Sequence, residues 1–209
     1  MISMNYWEKT YKEEGTLWSF ESCDSAIISA DYFHEKGIKK MLVLGVGYGR
    51  NTKPFLKKKF DLTGIEISKT AIKLANENGF TFPIHHGSVL DMPYNNIKYD
   101  GIFCYALLHL FNDKERFIIL NACHHQLTDN GYMIFVVIST KDKMFGNGTL
   151  LSKNRFKIKN GLQVFFYDPK AIESEFKNFG FLEYKEIDEP IKHLNNEDPL
   201  KCYMIKCKK

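Results

Sequence analysis

The sequence predicts an α/β domain built on a mostly parallel sheet with helices on both faces, and three observations carry that prediction. Strand-like apolar runs alternate with helix-patterned segments along most of the 209 residues, the arrangement expected of a parallel sheet covered on both sides. The run Met41-Leu42-Val43-Leu44 feeds a loop with glycine at every second position, Gly45-Val46-Gly47-Tyr48-Gly49, which leads into a helix-compatible segment. Seventeen residues after Gly49, Glu66 stands at the end of the next run, Leu62-Thr63-Gly64-Ile65-Glu66-Ile67.

Taken in chain order, the first 38 or so residues read as helices with unusual aromatic density: Tyr6, Trp7, Tyr11, Trp18 and Phe20. Strands are expected over Lys40–Leu44, Leu62–Ile67, Thr81–His86, Gly101–Tyr105, Met133–Ser139, Leu182–Ile187 and Cys202–Lys206. Pro54 lies within the first turn after the glycine loop, where a missing amide donor costs little. Asn112 with Glu115 three residues on forms a capping box, and Phe117, Leu120, His124 and Leu127 continue one helical face. Asp168-Pro169 supplies an N-cap and a first-turn proline for a helix carrying Ile172, Phe176 and Phe179, which Gly180 can end. Between alternating runs, Asn160-Gly161 is a strong hairpin signal. One domain over residues 1–209 is expected, with a helical cap at 1–38 and a hairpin insertion at 154–167. Both additions are placed at the carboxyl edge of the sheet, where open α/β folds bind ligands, either as lids over the cofactor or as plain packing over the sheet edge.

Composition narrows the function classes. An apolar share of 44% and a charged share of 26% are those of an ordinary globular protein. The net charge of +4 comes from dispersed lysines, densest at residues 57–59 and in the 206–209 tail, without a basic stripe, so nucleic acid is not indicated. No apolar run approaches a membrane span and no signal-peptide core is present, so a cytoplasmic location is expected. Five cysteines with no C-x-x-C spacing support neither a disulfide framework nor a zinc site; reduced, mostly buried thiols are expected.

Glycine between strand and helix lets a ligand approach the backbone closely, and a carboxylate closing the next strand can accept both hydroxyls of a ribose. A nucleoside-containing cofactor follows. The dinucleotide pattern G-x-G-x-x-G fails because Arg50 stands at its sixth position, and no G-x-x-x-x-G-K-[ST] phosphate loop occurs.

The stretch Leu44-Gly45-Val46-Gly47-Tyr48-Gly49-Arg50-Asn51 resembles the first motif of the class I S-adenosylmethionine-dependent methyltransferases, and further motifs follow in that family's order. Gly64-Ile65-Glu66-Ile67-Ser68 matches the segment whose acid binds the ribose. His86-Gly87-Ser88-Val89-Leu90-Asp91-Met92-Pro93-Tyr94 is similar to the segment along the adenine, with Ser88 in place of the usual acid; either Ser88 or Asp91 is a candidate to hold the base. The run from Tyr99 to Leu110 resembles the fourth-strand motif that ends near the transferred methyl, and Thr128-Asp129-Asn130-Gly131-Tyr132 the turn before strand five. Val43 stands where an acid is common. Thiopurine-type members tolerate an apolar residue there, and Tyr6-Trp7-Glu8-Lys9-Thr10-Tyr11 with Gly15 and Trp18 resembles the aromatic-rich start of the thiopurine and tellurite-resistance branches.

The resemblance implies a Rossmann-like, doubly wound, seven-stranded sheet whose last strand, Cys202–Lys206, runs antiparallel. It implies S-adenosyl-L-methionine as cofactor, contacted by Tyr11, Gly45, Val46, Gly47, Gly49, Arg50, Glu66, Ile67, Ser88, Val89 and Tyr105, and no metal. Methyl transfer from a sulfonium is an in-line displacement in which the cofactor carries the hard chemistry and the protein supplies alignment and a dry pocket. Tyr105 and His109 lie near the right strand end, but no catalytic residue is assigned. A small-molecule acceptor is the leading expectation. The rivals are a protein or RNA methyltransferase, a nicotinamide-dependent oxidoreductase, and a non-enzymatic sensor of the cofactor.

Overall fold

The computed structural model describes residues 4–16, 18–191 and 198–209, so residues 1–3 and 17 of the expected cap lie outside the described residues. The main sheet contains Lys40–Leu44 (β1), Asp61–Glu66 (β2), Ile84–His86 (β3), Tyr99–Tyr105 (β4), Leu127–Ile138 (β5), Phe181–Glu189 (β9) and Leu200–Lys208 (β10). Its order is β3-β2-β1-β4-β5-β10-β9. The first five pair in parallel, and β10 runs antiparallel to both β5 and β9. The seven-stranded, mostly parallel architecture with one reversed strand is the one the sequence predicts.

Side-chain alternation along the central strands divides the core between the two faces. Leu42, Leu44, Ile102, Cys104, Phe135 and Val137 point to the side covered by helices Asp113–Gln126 (α5) and Pro169–Phe176 (α6). Met41, Val43, Phe103, Ile134 and Val136 point to the other, covered by Asp24–Glu35 (α2) and Lys53–Lys57 (α3). Both faces of a central strand are therefore apolar, which is why these segments read as continuous hydrophobic runs.

Local signals place the helices. Asn112 and Glu115 form the reciprocal capping box of α5, Asp168 caps α6 through the Ala171 N–H, and Ser68 caps Lys69–Glu77 (α4) in the same way. Two strands differ from the expected bounds by more than two residues at one end. β3 begins at Ile84 rather than Thr81 because Pro83 has no N–H to give, although its carbonyl still accepts the Gly64 N–H at 2.8 Å. β5 begins at Leu127, ahead of the expected Met133. Leu127 pairs with Tyr99 and Tyr132 with Gly101, so residues 128–131 loop out between them, with Asn130 at φ +69°. The expected turn is thus enclosed within the strand.

The chain departs from the βα alternation at two places. Met4–Glu14 (α1) and α2 precede β1. After β5, Thr149–Ser152 (β6), Arg155–Lys157 (β7) and Gln163–Phe165 (β8) form a separate antiparallel three-stranded sheet. All five cysteines are buried and free.

Candidate active site

Because β1, β2 and β4 are parallel, their carboxyl ends converge at one edge of the sheet, and the site is built there. The Gly45 and Val46 N–H groups both donate to the Ile65 carbonyl, at 2.9 and 3.2 Å, tying the glycine loop to the neighbouring strand. Glu66 completes that tie: Oε2 accepts the Gly47 N–H at 2.7 Å and Oε1 the Ser68 N–H at 2.9 Å. Burial pushes the carboxyl pKa up, and the Ser68 and Gly47 N–H groups oppose that rise by stabilising the ionised form. The side chain is 5% exposed.

A roof of aromatic residues faces the loop. Trp7 and Tyr11 come from successive turns of α1, and Trp18 follows it. The Tyr11 ring is buried, and its hydroxyl lies 2.8 Å from where a Cβ on Gly47 would stand. Among the described residues this hydroxyl has no hydrogen-bond partner. Residues 18–23 are stitched to the glycine loop. The Tyr48 hydroxyl accepts the Trp18 N–H and donates to the Ser19 carbonyl, both at 3.1 Å. Ser22 donates to the Arg50 carbonyl at 2.6 Å, and Asn51 Oδ1 accepts the Cys23 N–H at 3.0 Å. The Arg50 guanidinium lies 5.6 Å from the Trp18 ring centroid and 5.9 Å from that of Tyr105, with no carboxylate partner among the described residues.

These elements enclose a cavity of about 640 Å³. Of the eleven residues that the sequence nominates, Tyr11, Gly45, Val46, Gly47, Arg50, Glu66, Ile67, Ser88, Val89 and Tyr105 line it. Gly49 does not; at φ +91° it packs where a Cβ would lie 2.4 Å from the Phe80 ring. Ser88 and Asp91 both face the cavity, and Ser88 also caps the short turn Val89–Asp91 by accepting the Leu90 N–H at 3.2 Å. Trp7, Leu107, Phe111, Pro190 and Leu200 also line the cavity without having been nominated. Trp7 had a local signal, since it stands four residues before Tyr11 on one helical face. Pro190 and Leu200 had none, because they arrive through the antiparallel β9–β10 pairing.

The three-stranded sheet contributes no residue to the cavity lining. Phe156, Val164 and the following Phe166 are buried instead against Leu110 and Ile138, behind the wall. Two arginines fix that wall: Arg155 from β7 and Arg116 from α5 both donate to the Phe111 carbonyl, the latter at 3.0 Å. Arg116 Nε also donates to both carboxylate oxygens of Glu175 at 3.0 Å, and the guanidinium lies 4.0 Å from the Phe165 ring centroid.

His109 is buried outside the lining. Its Nδ1 accepts the Ile138 N–H at 3.2 Å, and burial lowers its pKa to about 4. Among the described residues no histidine or lysine lines the cavity, and no cluster of His, Cys, Asp or Glu side chains is placed to hold a metal.

Comparison with known proteins gives a consistent result. The model of the methyltransferase domain family matches residues 42–135. An uncharacterized methyltransferase of Oceanobacillus iheyensis is 24% identical over 160 residues, covering 74% of this chain and 75% of that one. Among solved structures, the 1,6-didemethyltoxoflavin-N1-methyltransferase of Burkholderia thailandensis, with 1,6-didemethyltoxoflavin and S-adenosylhomocysteine bound, superposes with a TM-score of 0.73 at 16% identity, over 99% of this chain and 86% of that one. The N-methyltransferase NodS of Bradyrhizobium japonicum, in complex with S-adenosylhomocysteine, gives 0.69 at 12% identity, over 97% and 98%. TehB of Haemophilus influenzae gives 0.63 at 17%, over 99% of this chain and 66% of that one. At these identities the structural likeness is one of fold.

Proposed function

We propose that this chain, whose residues 42–135 match the methyltransferase domain family, binds S-adenosyl-L-methionine and directs methyl transfer to a small-molecule acceptor. The observation that carries this reading is the Glu66 carboxylate at the glycine loop, facing the cavity. Each of its oxygens accepts one backbone N–H and keeps acceptor capacity for a ribose hydroxyl. The remaining polar groups suit an adenosyl amino acid. The Arg50 guanidinium is matched to an α-carboxylate. Ser88, Val89 and Ile67 lie along the edge assigned to the adenine, with Asp91 the alternative to Ser88. Tyr11 and Tyr105 supply aromatic faces, which attract a cation. That relatives of the same fold were solved with S-adenosylhomocysteine bound is in keeping with this reading.

When bound, the cofactor supplies a methyl group already activated by its sulfonium. What remains for the protein is alignment and exclusion of water. α1 and residues 18–23 close the cavity on one side, and Leu107 and Phe111 wall it on the other. No histidine or lysine is among the described lining residues, though the carboxylates Asp91 and Glu115 are; an acceptor that brings its nucleophile as a free lone pair needs neither. A cavity roofed by α1 suits a compact acceptor, and its single lining cation, Arg50, gives no track for an RNA backbone. Against a dinucleotide, Arg50 occupies the third-glycine position, and the helix that follows spans only Lys53–Lys57.

The decisive experiment is calorimetric titration of the protein with S-adenosylmethionine, S-adenosylhomocysteine and NADH. Saturable binding of the first two without the third is expected; NADH binding alone would replace this reading with the oxidoreductase one.

A further inference from the structure

The α1 helix brings Trp7 and Tyr11 to the cavity, and one residue fixes its seat by polar contacts. Glu8, between them in sequence, reaches the first turn of α4. Its Oε2 accepts the Ser68 hydroxyl at 2.7 Å and the Thr70 N–H at 3.1 Å, and Oε1 accepts the Thr70 hydroxyl at 2.9 Å. Lys12, one turn along α1, approaches the same carboxylate at 3.2 Å. The amides of a helix N-terminus have no intrahelical acceptor, and the dipole there favours a negative charge. A carboxylate from α1 therefore caps a helix sixty residues away. The rest of the joint is apolar: Tyr11 and Ala71 are buried together with Leu74 against them.

Ser68 links this joint to the acid at the end of β2. It donates its N–H to Glu66 Oε1 at 2.9 Å and its O–H to Glu8 Oε2 at 2.7 Å, while its Oγ accepts the Ala71 N–H at 3.0 Å. The two carboxylates thus hold one serine, Glu66 through its N–H and Glu8 through its O–H, so a shift of α1 is felt at Glu66 through a single residue.

We propose that Glu8 is a positioning residue for the cofactor: by capping α4 it seats α1, and so holds the Tyr11 hydroxyl against Gly47 and Trp7 over the cavity. The inference rests on the S-adenosylmethionine reading, because the groups it positions are those assigned to that ligand. Removing the carboxylate leaves α1 joined to α4 by apolar contact alone, which does not fix the angle at which Tyr11 meets the loop.

The test compares wild type with E8A, E8Q and T70V by two readouts: hydrogen exchange of the α1 amides in the ligand-free protein, and calorimetric affinity for S-adenosylhomocysteine well below each variant's melting temperature. E8A is expected to speed exchange across α1 and to weaken binding about tenfold, the scale of losing charge-assisted hydrogen bonds. E8Q keeps one acceptor oxygen and recovers part of the loss, T70V loses less than E8A, and the double variant E8A/T70V is no worse than E8A. In turnover, KM for the cofactor rises while kcat at saturation stays near wild type. Unchanged α1 exchange in E8A overturns the inference, and so does faster exchange with undiminished affinity, since Glu8 would then only stabilise the fold. Wild type that fails to bind the ligand overturns the cofactor reading and the inference with it, an outcome distinct from wild type and E8A binding equally well.

Discussion

The carboxylate of Glu66 accepts the backbone N–H of Gly47 at 2.7 Å, so the acid that closes β2 also fixes the loop that follows β1. It has two tasks: shaping the loop and, in the proposed function, accepting the ribose hydroxyls. E66A removes both and leaves two buried N–H groups unpaired. The expected cost in cofactor affinity is about 1–3 kcal/mol, with a lowered melting temperature. E66Q keeps one acceptor oxygen and should fall between E66A and wild type. Calorimetric affinity unchanged in E66A would remove Glu66 from the site.

Protonation of the same group gives a second expectation. In the free protein, burial raises the Glu66 pKa above the ordinary value of 4.5. The free folded protein therefore holds this proton more tightly than the unfolded chain does, and its contribution to stability declines as pH rises from 4.5 through the raised value. The ionised form accepts both ribose hydroxyls, one on each oxygen, better than the protonated form does, so binding lowers the pKa and favours release of the proton. Affinity should climb with pH across a window beginning near 4.5 and level off above the raised value. Titrations in two buffers of different ionisation enthalpy count the protons; uptake rather than release in that window would contradict the assignment.

Gly47 and Gly49 separate binding from folding. A Cβ at Gly47 would lie 2.8 Å from the Tyr11 hydroxyl, with φ at +58°. G47A is expected to cost about 1–2 kcal/mol in backbone strain and to displace Tyr11, weakening cofactor binding. Gly49 lies outside the cavity lining, and a Cβ there would stand 2.4 Å from the Phe80 ring. G49A should lower the melting temperature while the folded fraction binds nearly as well as wild type. Equal loss of affinity in both variants would return Gly49 to the cofactor contacts that the sequence suggests.

How far the site could be read in advance follows from whether its determinants are local. β1 is bounded as expected because the glycine loop stops it, and α5 begins where Asn112 and Glu115 announce it. The acid and glycines that converge on one sheet edge are fixed by chain order once the strands are parallel. The Glu8 contact with Ser68 and Thr70 spans sixty residues and has no periodic signature. Trp7 has the same composition signal as a core aromatic, so only its place opposite the loop distinguishes it. The Asn160-Gly161 turn gives its hairpin, yet which face that hairpin covers depends on Phe156 and Val164 meeting Leu110 and Ile138.

The wall behind the cavity gives a stability prediction. The Arg116 side chain is 5% exposed and its partner Glu175 18%, so removing one leaves the other charge with little access to water. R116M is expected to lose about 3–5 kcal/mol in denaturant unfolding, together with its hydrogen bond to the Phe111 carbonyl. Exchange of both partners for apolar residues should cost less than either single change. A double variant as unstable as the sum of the singles would mean that the pair is not coupled.

His109 separates two sources of pH dependence. Its folded pKa of about 4 lies below the ordinary 6.5 because burial disfavours the imidazolium, and Nδ1 is occupied by the Ile138 N–H. A histidine depressed in this way contributes its full share of stability above pH 6.5. That share is lost as pH falls toward 4, at up to about 1.4 kcal/mol per pH unit. H109Q, which can still accept from Ile138, should flatten the acid side of the stability profile. It should leave the pH dependence of methyl transfer unchanged, because no atom of His109 lines the cavity. The described lining residues include the carboxylates Asp91 and Glu115 but no histidine or lysine. With an acceptor that needs no base, the rate profile should therefore move with the pKa of the acceptor when two acceptors of different acidity are compared. A profile that stays fixed between acceptors and shifts in H109Q would make this histidine the base.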